Sequence, residues 1–233
     1  GMSDVVLKNG CVDGSQFRGG ALLVEGQLNI YSVTFTNNRA NIFGGAIGTL
    51  STGFIEKIEN STFSMNTANI GGGISLETDA AVVVNNTFWA NHATVTGGAI
   101  ESVNNQIDLM ANNLFSNNTG AAADCVLGGG SSVVSSNDNL SNQNSDDFGI
   151  IDDTSLDPSS VAPLADNGCA EPNGAGQCVL THALSFDSQA VNASGAHASA
   201  VDQRGLLADG PRDIGAFEFG ATVSDVIFKS DFD

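Results

Sequence analysis

One motif returns at a fixed interval and limits what the chain can fold into. Phe35, Phe63, Phe88 and Phe115 stand 25 to 28 residues apart, and each is followed three residues later by Asn38, Asn66, Asn91 or Asn118. Ile30, Ile58, Val83 and Met110 precede them by five residues. Gly pairs begin at Gly19, Gly44, Gly71 and Gly97, with Leu22, Ile47, Ile74 and Ile100 three residues on. A self-similar period of this size belongs to repeat arrays, whose units bury a core only by stacking.

The units read as extended. Segments such as Leu28–Thr36, Ala80–Phe88 and Gln106–Phe115 are rich in Val, Ile, Thr and Phe, carry no helical apolar stripe, and are cut by Asn and Gly. One unit suffices for one turn of a β-solenoid, with turns about 4.8 Å apart. Like residues then stack: Phe on Phe inside, Asn on Asn at a corner where amides donate and accept in turn. The Gly pairs permit positive φ at a bend. A leucine-rich repeat lacks its Leu pattern here, and the calcium-binding nonapeptide fails where Gly71-Gly72-Gly73 runs into Ile74-Ser75. A β-sandwich of four loosely similar segments is the remaining rival. The expected fold is all-β: a single-domain, right-handed, single-stranded parallel β-helix over residues 1–233. Residues 1–27 form an incomplete first coil, 28–140 regular coils, 141–220 a loop-rich region packing as an irregular final coil and cap, and 221–233 a tail. Val179–Leu184, Ile214–Phe219 and Val226–Phe228 read as further extended segments, and Pro158, Pro163 and Pro172 as breaks in regular structure.

Charge narrows the partners. Seven basic against 26 acidic residues give a net charge of −19, which argues against nucleic acid. It also disfavours an acidic polysaccharide unless cations bridge. No apolar run approaches the ~20 residues of a membrane span. Gly1 ahead of Met2 reads as a cloning remnant, so a missing export signal decides nothing. Cys169 and Cys178 flank a Gly-, Asn- and Pro-containing loop suited to a disulfide. Cys11 and Cys125, about four coils or roughly 19 Å apart, are too distant to join.

The C-terminal third carries a more specific signature: Asp157-Pro158, Pro163–Gly168, Thr181–Leu184, Ser188–Val191, Asp202-Gln203-Arg204-Gly205 and Asp213–Glu218. These strings resemble the choice-of-anchor Q group of bacterial exported proteins. The Gly-Gly-Ala-Ile and Phe-x-x-Asn repeats are similar to those of polymorphic outer-membrane-protein-type adhesins. The resemblance spans roughly residues 19–230 and implies a pectin-lyase-like parallel β-helix on a secreted or cell-surface protein, without an assigned chemistry. The Cys169–Cys178 loop departs from the family pattern, and no membrane-spanning translocator follows the repeats.

Candidate chemistry is sparse, and no residue is assigned as catalytic. A glycosidase needs two carboxylates converging on one face, whereas Asp146-Asp147 and Asp152-Asp153 lie in a loop. They are the calcium candidates, since clustered oxygens suit hard cations; no other cofactor is implied. His92 reads as outward-facing at a corner, His182 as a structural hydrogen-bonding residue, and His197 stands alone. Arg204, flanked by Asp202, Asp213 and Glu218, reads as an ion-paired tie between the final segment and the coils, or as a clamp for a ligand carboxylate. Ordered Thr rows on flat β-solenoids can bind ice, but the row Thr34, Thr62, Thr87 is short and ends in Leu114, which argues against that reading. The favoured expectation is a non-enzymatic, adhesin-like binder of a glycan or of a host or neighbouring-cell protein. A polysaccharide hydrolase or lyase is the alternative, and a purely structural spacer a third. Ligand and oligomeric state are not legible.

Overall fold

The chain is described from a computed structural model covering residues 1–14, 18–120, 124–143, 155–172, 175–208 and 210–222. Its first turn runs through β1 (Met2–Lys8), β2 (Cys11–Val12) and β3 (Leu22–Val24); the second through β4 (Gln27–Thr36), β5 (Arg39–Ala40) and β6 (Ile47–Thr49). The third holds β7 (Phe54–Glu59), β8 (Thr62–Ser64), β9 (Thr67–Ile70) and β10 (Ile74–Leu76). The fourth holds β11 (Ala80–Val84), β12 (Thr87–Trp89), β13 (His92–Thr96) and β14 (Ile100–Val103). The fifth holds β15 (Gln106–Ala111), β16 (Leu114–Ser116) and β17 (Cys125–Gly128); β18 (Ser132–Asn137) and β19 (Leu140–Ser141) begin a further turn. Pairing is parallel between successive turns throughout: β3-β6-β10-β14-β17 on one face and β2-β5-β9-β13 on another. The long strand β4 pairs with β7 along its first half and β8 along its second, so the largest sheet divides at a corner. This is a β-solenoid of about five turns. Residues 1–27 are less incomplete than expected, because β1 pairs with β4 over most of its length.

The phenylalanines run in single file through the interior. Successive ring centroids of Phe35, Phe63, Phe88 and Phe115 are 4.8, 4.8 and 5.1 Å apart with planes 8° from parallel. Each ring is fully buried, and the rows Ile30–Ile58–Val83–Met110 and Ile47–Ile74–Ile100 complete the core. Strand spacing forces this stacking, because in-register parallel pairing places equivalent side chains directly over one another.

Two amide ladders support the corners. In the first, Nδ2 of Asn38, Asn66 and Asn91 donates to Oδ1 of the next Asn at 2.9–3.0 Å, and that oxygen also accepts the donor residue's backbone N–H. The second ladder, Asn86–Asn113–Asn139, repeats the pattern, and Ser61 N–H donates to Asn86 Oδ1. Every rung follows a residue with left-handed backbone: Asn37, Met65, Ala90 and Asn117 in the first, Asn85, Asn112 and Asp138 in the second, with Asn60 ahead of Ser61 in the same column. Positive φ is therefore not confined to the Gly pairs. At Gly44 and Gly71 (both φ 63°), glycine is required twice over, since a Cβ would lie 2.0–2.2 Å from the carbonyl oxygen of Ile47 or Ile74.

The C-terminal region departs most from expectation. Among the described residues it lies along the flank of the solenoid as a strap. A 3₁₀ turn at Pro158–Ser160 leads into an antiparallel hairpin, β20 (Val161–Asp166) with β21 (Leu180–Leu184). Pro163 sits inside β20, where the register shifts. Ile214–Phe219, expected as extended, forms turns with no strand. Val226–Phe228 lies outside the described residues. Leu156, Val161, Leu184, Ala190, Ile214 and Phe217 of the strap form a second apolar cluster with Leu114 and Leu140 of the coils. Leu114 interrupts the threonine row because this cluster sits on it. The other row members are covered too: Thr34 Oγ1 donates to Leu180 O, Thr62 Oγ1 to Gln203 Oε1, and Thr87 Oγ1 accepts from Ala216 N. All three threonines are buried, which excludes an ice-binding face. Gly215 allows the approach, since a Cβ there would lie 2.8 Å from Thr87 Oγ1. Among the described residues no helix is long and apolar enough to cross a membrane.

Candidate functional site

The left-handed residues in the column of Ser32, Asn60, Asn85 and Asn112 do a second job. Their side chains leave the coil and grip the strap: Ser32 Oγ donates to Gln203 O, Asn60 Nδ2 to Val201 O, Asn85 Nδ2 to His197 O, and Asn112 Nδ2 to Ala196 O. At the first turn the column ends in an acidic residue. Asp4, with φ 55° and opposite Ser32 in the β1–β4 register, is exposed and borders a groove.

The groove consists of two adjoining hollows of about 370 and 390 Å³ that share Asp4 and Gln177. The first is lined by Asp4, Tyr31 and Ser32 of the coils and by Glu171, Gln177 and Arg204 of the strap, among others. The second runs along Val5, Val6 and Lys8 and is faced by Asp166, Cys178 and Leu180. The walls thus combine three exposed carboxylates, a phenol ring, two amides, a guanidinium and one lysine. Asp4 and Glu171 share the first hollow, and both stand exposed.

Arg204 reaches the groove wall with its guanidinium already engaged. Nε donates to Asp202 Oδ2 at 2.7 Å, Nη2 to Glu218 O at 2.7 Å and Nη1 to Asn167 O at 3.2 Å, and the ion lies 3.9 Å above the Phe217 ring. Asp202 also accepts backbone N–H groups of Arg204, Leu206 and Glu218. Beside this, Arg212 Nη1 pairs with Glu218 Oε2 at 2.6 Å, and Asp213 accepts from Asn192 N and Phe219 N. Burial pushes the Glu218 carboxyl up to about 7 and raises Asp213. The Asp-Gln-Arg-Gly and Asp-Ile-Gly-Ala-Phe-Glu strings meet here as a buried charge cluster.

His182 is buried between strap and coil. Its Nδ1–H donates to Ala162 O at 2.8 Å, Nε2 accepts from Ser64 Oγ at 3.0 Å, and its ring stacks on Trp89 at 4.7 Å. Burial pushes the imidazole down to about 4 from 6.5, against a smaller opposing contribution from the Ala162 bond. The unfolded chain therefore takes up this proton first as pH falls. Stability from His182 is complete above pH 6.5 and is lost down to about pH 4, about 3 kcal/mol in all. Glu218 and Asp213 act in the opposite sense, so the effect is isolated by difference. The stability gap between parent and His182→Gln should narrow from pH 6.5 to 4 in urea titrations, and a constant gap would exclude the mechanism.

The remaining candidates fall elsewhere. His92 is exposed, with Nδ1 2.8 Å from Thr119 Oγ1, and His197 is exposed in the strap. Asp146, Asp147, Asp152 and Asp153 lie outside the described residues. Among the described residues no group of three or more His, Cys, Asp and Glu is placed to hold a metal. Cys169 and Cys178 form a disulfide at the groove wall, while Cys11 is exposed and Cys125 buried, both outside any disulfide. Sequence reading missed the groove, whose residues share no motif. It also missed the second ladder, although the doublets Asn85-Asn86 and Asn112-Asn113 signal it. Comparison with family models, with curated proteins and with solved structures found no match for this chain.

Proposed function

We infer that this protein is a secreted or surface-displayed β-solenoid that binds an uncharged glycan, without cleaving it, in the groove between β1 and the disulfide-bonded loop. The observation that carries the reading is the groove's lining: the Tyr31 ring beside Asp4, Glu171 and Gln177. An aromatic face supports a sugar ring, and carboxylates and amides accept and donate to its hydroxyls. The charge of −19 disfavours uronate-rich or sulfated chains by repulsion. The disulfide fits an oxidising compartment, as does the resemblance to exported β-helix families.

The enzymatic alternative has one observation in its favour, the shared hollow of Asp4 and Glu171. An array of neutral and acidic oligosaccharides, read with and without calcium, separates the readings. Neutral glycans should be retained and uronate-rich ones should not. The double change Asp4→Asn and Glu171→Gln should weaken retention roughly tenfold or more, as expected for losing charge-assisted hydrogen bonds, with an unchanged melting temperature. New reducing ends in the retained glycan would establish hydrolysis instead. Retention unaffected by both changes would remove the groove as the site.

A further inference from the structure

We propose that the first hollow of the groove selects glycans built of N-acetylated amino sugars: the acetamido methyl group enters an apolar recess beside Ala170, and its N–H donates to the carboxylate of Asp4 or Glu171. The proposal rests on the groove being the glycan site and names the sugar it takes. The order of burial in the hollow sets the geometry. Ser32, Val179, Gln203 and Arg204 are buried and form the floor. Tyr31 and Ala170 are half-buried, and Asp4 and Glu171 stand exposed at the mouth.

The polar groups of the floor are engaged within the protein. Ser32 Oγ donates to Gln203 O at 2.6 Å, Gln203 Nε2 donates to Thr34 Oγ1 at 2.9 Å, and Gln203 Oε1 accepts from Thr62 Oγ1. Arg204 directs its guanidinium to Asp202, Asn167 O and Glu218 O, and Ala170 N donates to Arg204 O at 2.8 Å. The floor therefore meets a ligand mainly through the Tyr31 ring, the Ala170 methyl group and Val179. Gly205 leaves room there, since a Cβ on it would have the Ala170 Cβ, 3.4 Å away, as its nearest neighbour. The carboxylates at the mouth, when ionised, are acceptors only.

An apolar recess below acceptor-only groups discriminates among sugar substituents. A hydroxyl donates to a carboxylate but leaves the recess unfilled. A 6-deoxy methyl group fills the recess without donating. An ammonium suits the carboxylates but carries no methyl group. The acetamido group brings an N–H and a methyl group on one short planar arm, and it leaves the sugar uncharged. Burying the methyl group favours binding about fourfold, while the N–H replaces the hydroxyl as donor to the carboxylate.

The test titrates the full chain calorimetrically with β-1,4-linked oligosaccharides of equal length, built of N-acetylglucosamine, glucose or glucosamine. The acetylated chain should bind about fourfold or more tightly than either of the others. Ala170→Val fills the recess and keeps the backbone N–H, so it should remove that margin while binding of the glucose chain holds. Equal binding of the acetylated and glucose chains by the unaltered protein overturns the selection and leaves the glycan reading standing. So does a margin that survives Ala170→Val. Tighter binding of the glucosamine chain than of its acetylated form also overturns it, because the carboxylates would then be reading charge. If the protein retains no glycan of any kind, the glycan reading itself fails and the selection with it.

Discussion

Replacing Asn91 with alanine should cost about 3 kcal/mol or more in urea unfolding, because four buried groups each lose a hydrogen bond together. Asn91 Oδ1 accepts from Asn66 N and Asn66 Nδ2, and its Nδ2 donates to Phe63 O and Asn118 Oδ1. Each orphaned polar group costs about 1–3 kcal/mol. Asn118 Oδ1 keeps the Asn91 backbone N–H and Asn66 Nδ2 keeps Phe35 O, so those two losses are the smaller ones. Asn38, at the first rung, should tolerate alanine better, since its Oδ1 accepts from Gly10 N where Asn91 Oδ1 accepts from two groups. A loss below about 1 kcal/mol for Asn91→Ala would mean the amide column merely accompanies stacking instead of supporting it.

Arg204→Ala should be similarly severe, about 3–5 kcal/mol, the cost of leaving one partner of a buried ion pair alone. It strands the Asp202 carboxylate, frees the carbonyls of Asn167 and Glu218, and uncovers the Phe217 ring. Lysine should not rescue it, because a single ammonium cannot reproduce the planar fork. The damage should concentrate in the strap. Thermal unfolding should split, with amides of Thr181–Leu184 and Asp202–Leu206 exchanging first and those of Phe63 and Phe88 later. A variant that melts with the parent in one step would show that Arg204 does not tie the strap down.

The coils were legible because stacking converts geometry into periodicity. Each Phe must sit over the last, so the spacing repeats, and an in-register ladder of Asn follows the same arithmetic. The strap left no such trace. Its bonds join residues as far apart as Ser32 and Gln203, or Asn60 and Val201, each made once. That is why a threonine row visible in the sequence could be assigned to solvent when it lies under the strap. The groove was hidden for the same reason, with Asp4 and Tyr31 from the first turns and Glu171 and Gln177 from the hairpin loop. The second ladder was half visible: Ser61 stands where Asn would extend Asn86–Asn113–Asn139, and the doublets share their Asn content with ordinary turns.

Most stacked-coil proteins can gain or lose a repeat, because each turn meets only its neighbours. Here the strap reads down the axis against the coils: Gln203 at Ser32, Val201 at Asn60, His197 at Asn85, Ala196 at Asn112. It is a ruler laid along the stack, cut to one length. Excising a single turn would leave both ladders continuous and the core intact, yet every clasp beyond the excision would meet the wrong rung. The strap thereby fixes the number of turns it spans, and any change in that height must be matched by a change in the C-terminal segment.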